Sequence, residues 1–320
     1  MAGRVISHSE TNRSHGATYR ARTRTRRTSC AILPGMATGA TVRTIASGDL
    51  PAVGEFLHQH LNTRLSPGTW AAALHPGWSS PGPGHGVALW DGERLVGVYA
   101  AFYSERTIAG RSERFCNLAA WCVLDEHRAQ GLRLVRAMLS QPGYTFTDLS
   151  PSGNVVALNE RLGFVRLDTS GALVLNTPSV PRRGVRLVTD PAAIETLLDG
   201  EELQIYRDHA AAAATHHLVL VADGRACHVM WRRVTRKNLR AFAALLHISD
   251  RGLFRDVGGH AYGYLLARHG IPFTLVERRT VGVVPRLSVA VMGRPKMMRS
   301  STVAPVDVDD LYSELTCVPW

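Results

Sequence analysis

The residues with the most specific chemical pattern form the string Trp121-Cys122-Val123-Leu124-Asp125-Glu126-His127-Arg128-Ala129-Gln130-Gly131-Leu132-Arg133. Its order, an apolar strand, a polar turn and then a helix, leaves several backbone N–H groups unpaired at the junction, where the helix dipole adds positive potential. Such a junction receives a diphosphate well. Gly131 lets the backbone approach a ligand closely, and Arg128 and Arg133 add positive charge that Asp125 and Glu126 partly offset. The site suits a phosphate-bearing ligand.

Other reactive side chains are less specific. Cys122 ends the strand, and a strand cysteine ordinarily packs as a small apolar residue. Glu105, Glu113, Glu126 and His127 are candidates for a general base, but charges at strand ends and in loops are mostly solvated, so no catalytic residue is assigned. His216-His217, and His260 with His269, lack the helix spacing of a metal-binding pair, and no metal is expected. Cys30, Cys116, Cys122, Cys227 and Cys317 are odd in number and scattered without a CxxC pair. That argues against a disulfide framework or zinc site and for a reducing, cytoplasmic setting.

Periodicity supplies the elements that position the string. Thr41 to Ala46 reads as a strand, and Ser47-Gly48-Asp49 caps a helix with Leu50, Val53, Phe56, Leu57 and Leu61 at helical spacing. Thr69 to Leu74 is a second helix, and residues 76–86 form a loop. Val87 to Trp90 and Arg94 to Ser104 alternate around Asp91-Gly92 as a hairpin. Arg114 to Val123 is a further strand. Arg133 to Leu139 is a helix, Tyr144 to Leu149 a strand, and Asn154 to Leu162 a helix closed by Gly163. The expected fold is α/β (α+β): a mixed, mainly antiparallel twisted sheet flanked by helices.

Pro178, Pro181, Arg182, Arg183 and Gly184 mark a linker at 179–184, after which the pattern restarts at Val185-Arg186. Asp91-Gly92 recurs as Asp223-Gly224. Arg128 and Arg255, Gly131 and Gly258, and Gly143 and Gly270 are each 127 positions apart. This register predicts a duplicated domain, 41–178 and 185–320, with an irregular second copy. There Asp256 falls inside the would-be phosphate loop and should repel a diphosphate, which points to a structural or acceptor-shaping role.

The strand-turn-helix string resembles the GNAT N-acetyltransferase superfamily, whose acyl-CoA loop follows a Gln/Arg-x-x-Gly-x-Gly/Ala pattern after a long central strand. Arg128 and Gly131 match it; Arg133 stands where the family usually has a small residue. The run Asn154 to Phe164 looks like the family's late helix with its closing Gly-Phe, so the resemblance covers about residues 41–168. It implies a GNAT-like fold in which Cys122, Val123, Arg128, Ala129, Gln130, Gly131, Leu132, Arg133 and Asn154 hold acetyl-CoA or another acyl-CoA. It further implies direct attack of a primary amine, on a small molecule or peptide, on the thioester, with a splayed strand from Leu118 to Val123 offering N–H groups to the oxyanion. Where many members carry a tyrosine acid, four residues before the closing glycine, this chain has Asn159. Arg133 and Asn159 favour the alternative, a non-catalytic acyl-CoA-binding or regulatory protein.

Composition narrows the rest. The chain has 320 residues, 45% apolar and 20% charged, enough for two domains with real cores. The formal charge of +11 is concentrated in residues 1–36, where Arg4, Arg13, Arg20, Arg22, Arg24, Arg26 and Arg27 face only Glu10. Residues 1–40 therefore read as a disordered basic tail, either a targeting peptide or an overlong start before Met36. Without an RNA-binding signature or zinc spacing, no nucleic-acid partner is expected. No apolar run reaches the roughly 18 residues of a membrane span, so no membrane association is expected. Nothing bears on oligomeric state.

Overall fold

The computed structural model describes residues 39–79, 82–236 and 239–319. Residues 1–38 of the expected basic tail lie outside them. Along the first half run β1 (Thr41–Thr44), α1 (Leu50–His60), α2 (Pro67–Ala73), β2 (Gly86–Asp91), β3 (Arg94–Ile108), β4 (Arg111–Val123), α3 (Gly131–Leu139), β5 (Tyr144–Asp148), α4 (Gly153–Arg161), β6 (Val165–Arg166) and β7 (Ser170–Leu175). The second half has β8 (Arg186–Val188), α5 (Pro191–Leu197), α6 (Gly200–His209), β9 (His216–Ala222), β10 (Arg225–Arg236), β11 (Leu239–Ile248), α7 (Arg251–Val257) and α8 (Gly259–His269). It closes with β12 (Phe273–Glu277), α9 (Arg278–Val281), β13 (Ser288–Met292), β14 (Met297–Arg299) and α10 (Glu314–Cys317). The mixed, mainly antiparallel architecture is the one expected. No helix among the described residues is long and apolar enough to cross a membrane.

Among the described residues the strands form two seven-stranded sheets, ordered β1-β2-β3-β4-β5-β14-β6 and β8-β9-β10-β11-β12-β7-β13. Each sheet takes five consecutive strands from one half and receives its sixth from the other. β7 pairs antiparallel with β12, and β14 with β5. The reading of 41–178 and 185–320 as successive domains takes no account of this exchange. Gly171 in β7 shows how close the inserted strand lies, because a Cβ there would sit 2.1 Å from the Val276 carbonyl oxygen.

Apolar residues cover both faces of the first sheet. On one, Val53, Phe56 and Leu57 of α1 and Trp70 of α2 pack against Val98, Ala100 and Ala120. On the other, Leu134, Val135 and Met138 of α3 pack against Leu89, Val96 and Leu118. This three-and-four spacing is what turns a short polar-flanked helix into a buried one. α3 begins at Gly131 rather than Arg133, because a 3-10 helix over Asp125–Gln130 leads into it. The β3–β4 hairpin is also longer than its alternation suggests, since Glu105 to Glu113 is polar. Its turn, Ala109-Gly110, has φ of 50° and 77°, as a tight two-residue hairpin requires. Contacts from the far end of the chain hold that arm: Arg106 pairs with Asp309, and Thr302 Oγ1 donates to Glu113 at 2.7 Å.

A buried ionic cluster ties the exchanged region together. Lys296, 6% exposed, donates to both Asp310 oxygens at 2.8 and 2.6 Å and lies 2.7 Å from Glu277 Oε1. Arg279 pairs with Glu277 at 2.6 Å and also with Asp310. Burial alone would raise the Asp310 pKa, but Lys296 and Arg279 outweigh it and hold it below the usual carboxylate range. A depressed folded pKa stabilises the fold above the unfolded value and loses that contribution as pH falls through the folded one. Asp310→Asn should therefore cost about 3–5 kcal/mol at pH 7, because it leaves two buried cations short of a partner. Urea unfolding measures the cost, and the gap between variant and native chain should narrow below about pH 4.

Candidate active site

The middle strand β4 is irregular on both edges at one level. Toward β3, Tyr99 pairs with Trp121 and Ala101 with Leu118, so Ala119 and Ala120 together face Ala100 alone. This is a β-bulge, which turns backbone groups out of the ladder. Toward β5, pairing runs only from Arg114 to Asn117. From Leu118 to Val123 β4 has no strand on that side, and its polar backbone groups are available to a ligand. The expected splay of the central strand is present.

The second sheet repeats this geometry. β11 pairs with β12 only from Phe242 to Ala244, and its pairing with β10 shifts between Met230 and Trp231, where Leu246 is the extra residue. The helical segments entered from β4 and from β11 differ at their starts. The α7 N-terminus is already capped, because Asp250 accepts from the Leu253 N–H at 2.9 Å and pairs with Arg225. A bound carboxylate fills the position an incoming phosphate would take. Asp256, which the repeat register assigns to the phosphate loop, lies instead on α7. After β4, neither the 3-10 helix nor α3 has a side-chain cap. The first half alone keeps an uncapped entry.

The residues assigned to the acyl-CoA loop lie together at this entry. Arg128 is exposed and paired with Asp125 at 2.5 Å; Ala129 and Leu132 are also exposed. Gly131 is buried, and a Cβ there would meet the Trp121 ring at 3.4 Å. Arg133 reaches back to the Ala40 carbonyl at 2.5 Å and to Gln130 Oε1 at 2.7 Å, so it ties the residue before β1 to α3. Val123 packs between Gly97 and Gly131. Cys122 faces α1 and donates to the His60 carbonyl at 3.5 Å; burial pushes its thiol up to about 11, which keeps it protonated. Asn154 is exposed in the first turn of α4. The four base candidates are elsewhere: Glu105 accepts from Ser112, Glu113 from Thr302, Glu126 pairs with Arg94 at 3.0 Å, and His127 faces Asp91 at 3.8 Å.

Beside the bulge opens a cavity of about 650 Å³ whose walls come from both halves. Tyr99 of β3 and Ala119, Ala120 and Trp121 of β4 form one side of it. Trp121 stacks on Tyr99 with ring centroids 5.4 Å apart, and its buried indole Nε1 has no protein hydrogen-bond partner. An unpaired buried donor at the wall of a cavity is a place for a ligand acceptor. Across the splay stands Asp148, the last residue of β5, whose Oδ2 accepts from Asn159 Nδ2 at 2.8 Å. Asn159 thus orients a carboxylate where the resembled family has a tyrosine.

A second carboxylate lies below. Glu314 Oε1 accepts from Ser150 Oγ at 2.6 Å, and Ser150 lines the cavity. The Glu314 N–H donates to Asn117 Oδ1 at 3.0 Å, and Asn117 donates to Thr147 at 3.1 Å. Burial raises Asp148 to about 6, against hydrogen bonds from Asn159 and Ser150. Burial, and then the nearby Asp148, raise Glu314 to about 7. Two carboxyl groups that titrate near neutrality are suited to moving a proton. Sequence reading missed both. Asp148 continues the alternation of Tyr144 to Asp148 as if it were an ordinary strand end, and Glu314 arrives from the far end of the chain.

No family model matches the chain, and no curated protein matches it in sequence. Solved structures do. A GCN5-related N-acetyltransferase from Anabaena variabilis superposes with a TM-score of 0.54 at 9% identity, covering 81% of this chain and 72% of that one. A putative acetyltransferase from Pyrococcus horikoshii gives 0.52 at 13%, covering 86% and 94%. A protein from Enterococcus faecalis described as a probable N-acyltransferase gives 0.55 at 10%, covering 82% and 73%. The chain has the fold of the GCN5-related N-acetyltransferases.

The raised carboxyl groups carry a stability signature. A folded pKa above the unfolded one stabilises at low pH and loses that contribution as pH rises through the folded value. Glu314→Gln should therefore gain stability relative to the native chain between pH 5 and pH 8, by about 3 kcal/mol if the full shift is realised. Chemical denaturation at the two pH values measures the difference, and an unchanged difference would mean that Glu314 does not titrate in this window.

Proposed function

We propose that the chain is an acyl-CoA-dependent N-acyltransferase whose chemistry occurs in the cavity beside β4. The observation that carries this reading is the bulge at Ala119-Ala120 coinciding with the end of β4–β5 pairing. The uncapped turn from Asp125 to Gly131, with Arg128 and Arg133 at its rim, would hold the diphosphate. Acyl-CoA supplies an acyl thioester when bound. The freed β4 amides, with the Trp121 indole N–H, would then stabilise negative charge on a carbonyl oxygen.

Asp148 takes the proton of the attacking amine, and Asn159 keeps its carboxylate oriented. Ser150 connects the cavity wall to Glu314, a reserve acceptor one hydrogen bond deeper. Tyr99, whose phenol burial and the neighbouring Asp148 keep protonated, is the available donor to a departing thiolate. Cys122, protonated and facing α1, forms no covalent intermediate in this scheme. We read the second half as a copy of the first in which Asp250 has closed the phosphate entry and whose β11, β12 and β13 help to shape the acceptor side.

The charge of that side favours an acceptor with an acidic group. Arg64, Arg236 and Arg294 all line the cavity, and burial together with Arg294 lowers the Arg236 pKa. Clustered guanidiniums facing one cavity suit an anion. An amine bearing a carboxylate or phosphate meets both Asp148 and these arginines.

Thiol release from acetyl-CoA, measured across amines with and without an acidic group, tests the proposal. Turnover should be found among the acidic amines. Tight acetyl-CoA binding with no thiol release from any amine would favour the alternative of a non-catalytic acyl-CoA-binding protein. Asp148→Asn should lower kcat by about 100-fold and flatten the rise in rate expected between pH 5 and pH 8 as the pair ionises. Arg294→Ala should raise the acceptor KM about tenfold or more and leave the acetyl-CoA KM unchanged.

A further inference from the structure

Three histidines cross the second sheet on one face. Met230 pairs with His217 of β9 on one side and with His247 of β11 on the other, and His228 lies two residues before Met230 on β10. Residues that pair directly, or that lie two apart on one strand, point to the same side of a sheet. His217 and His228 are stacked with ring centroids 5.3 Å apart, and His228 and His247 are 5.6 Å apart. Helix α6 covers this face and brings Glu202 from its first turn. Glu202 Oε2 lies 2.9 Å from His247 Nε2 and 3.3 Å from His228 Nδ1.

Protons cannot satisfy this arrangement while the His217–His228 pair is neutral. His217 Nε2 lies 3.2 Å from the His209 carbonyl, which can only accept, so that nitrogen carries the hydrogen. His217 Nδ1 then bears a lone pair and takes a hydrogen from His228 Nε2, 3.0 Å away. The remaining nitrogen, His228 Nδ1, is left with a bare lone pair aimed at a carboxylate oxygen. Two lone pairs facing across 3.3 Å, one on a fully buried imidazole and one on a partly exposed carboxylate, are relieved by a cation between them, a proton or a metal ion.

We propose that Glu202, His228 and His247 form a binding site for one divalent transition-metal ion of the Zn2+ class. The three ligand atoms lie within 4.8 Å of one another. Tetrahedral bonds of about 2.0–2.1 Å require ligand atoms roughly 3.3 Å apart, so small side-chain adjustments close the site. Two neutral imidazoles and one carboxylate are a donor set that such ions prefer to magnesium or calcium. His217, which holds the His228 tautomer, is the outer partner that metal-bound histidines ordinarily have. His228 is fully buried, but the side chains of His247 and Glu202 are 15% and 30% exposed. The site is therefore partly open to solvent, and its fourth position is available to water. In this arrangement the ion fastens α6 to β10 and β11.

Metal-stripped full-length protein titrated with Zn2+ in a calorimeter tests the site, with Co2+ as a spectroscopic probe. One equivalent should bind, with the intense visible absorption of four-coordinate Co2+. His247→Asn, a substitution at a partly exposed position, should weaken Zn2+ binding by at least 100-fold, as should Glu202→Gln. His217→Asn should weaken it by about 10–100-fold through the lost tautomer control. His60→Asn, an exposed control on α1, should leave binding unchanged. Should Glu202→Gln fail to fold, His247→Asn decides alone. Absence of stoichiometric binding to the native chain, or full-strength binding that survives His247→Asn, overturns the proposal.

Discussion

The candidate site depends on a defect in hydrogen bonding at the centre of the first sheet. Buried backbone amides are almost always paired, so a middle strand that loses β5 after Asn117 and bulges against β3 at Ala119-Ala120 is expensive unless something else accepts from it. Two features keep the defect open. Trp121 and Tyr99 stack beside it, and α3 starts against the indole at Gly131, where a side chain larger than a methyl group would press on the ring. The donors are thus held in place by the fold itself, before any ligand arrives.

The exchange of β7 and β14 makes the cavity a joint product of both halves. Thr169, Glu277 and Lys296 meet at its wall from stretches distant in sequence, and the Glu277–Arg279–Lys296–Asp310 cluster fastens them. The same inserted segments deliver Glu314 beneath Ser150. Stability and chemistry are coupled for this reason. The ionic cluster holds the C-terminal segment in the first half, and that segment supplies the deeper of the two titrating carboxyl groups. Asp310 and Glu314 depart from ordinary pKa values in opposite directions, Asp310 downward beside two cations and Glu314 upward through burial and the nearby Asp148.

Local patterns were legible in the sequence because local forces set them. The strand-turn-helix at Trp121 to Arg133, the α4 helix closed by Gly163 at φ 85°, and the order of elements through α4 all follow from alternation, helical spacing and caps. The polar arm from Glu105 to Glu113 did not announce itself as strand, since its partners, Thr302 and Asp309, are nearly two hundred residues away. Asp148 and Glu314 escaped for the same reason: nothing near either residue shows that both will be dry and adjacent. The histidines of β9, β10 and β11 share a face only once strand register is known. Arg133 was legible as a departure from the phosphate-loop pattern, but its partner, the Ala40 carbonyl, was not.

Amide hydrogen exchange, read with and without acetyl-CoA, probes the central defect most directly. Acetyl-CoA should slow exchange across Leu118 to Val123 and the turn to Gly131, and should leave Leu245 to Ile248 at the corresponding bulge of β11 unchanged. Unaltered exchange along β4, or protection that appears on β11 instead, would contradict a ligand-accepting defect in the first sheet.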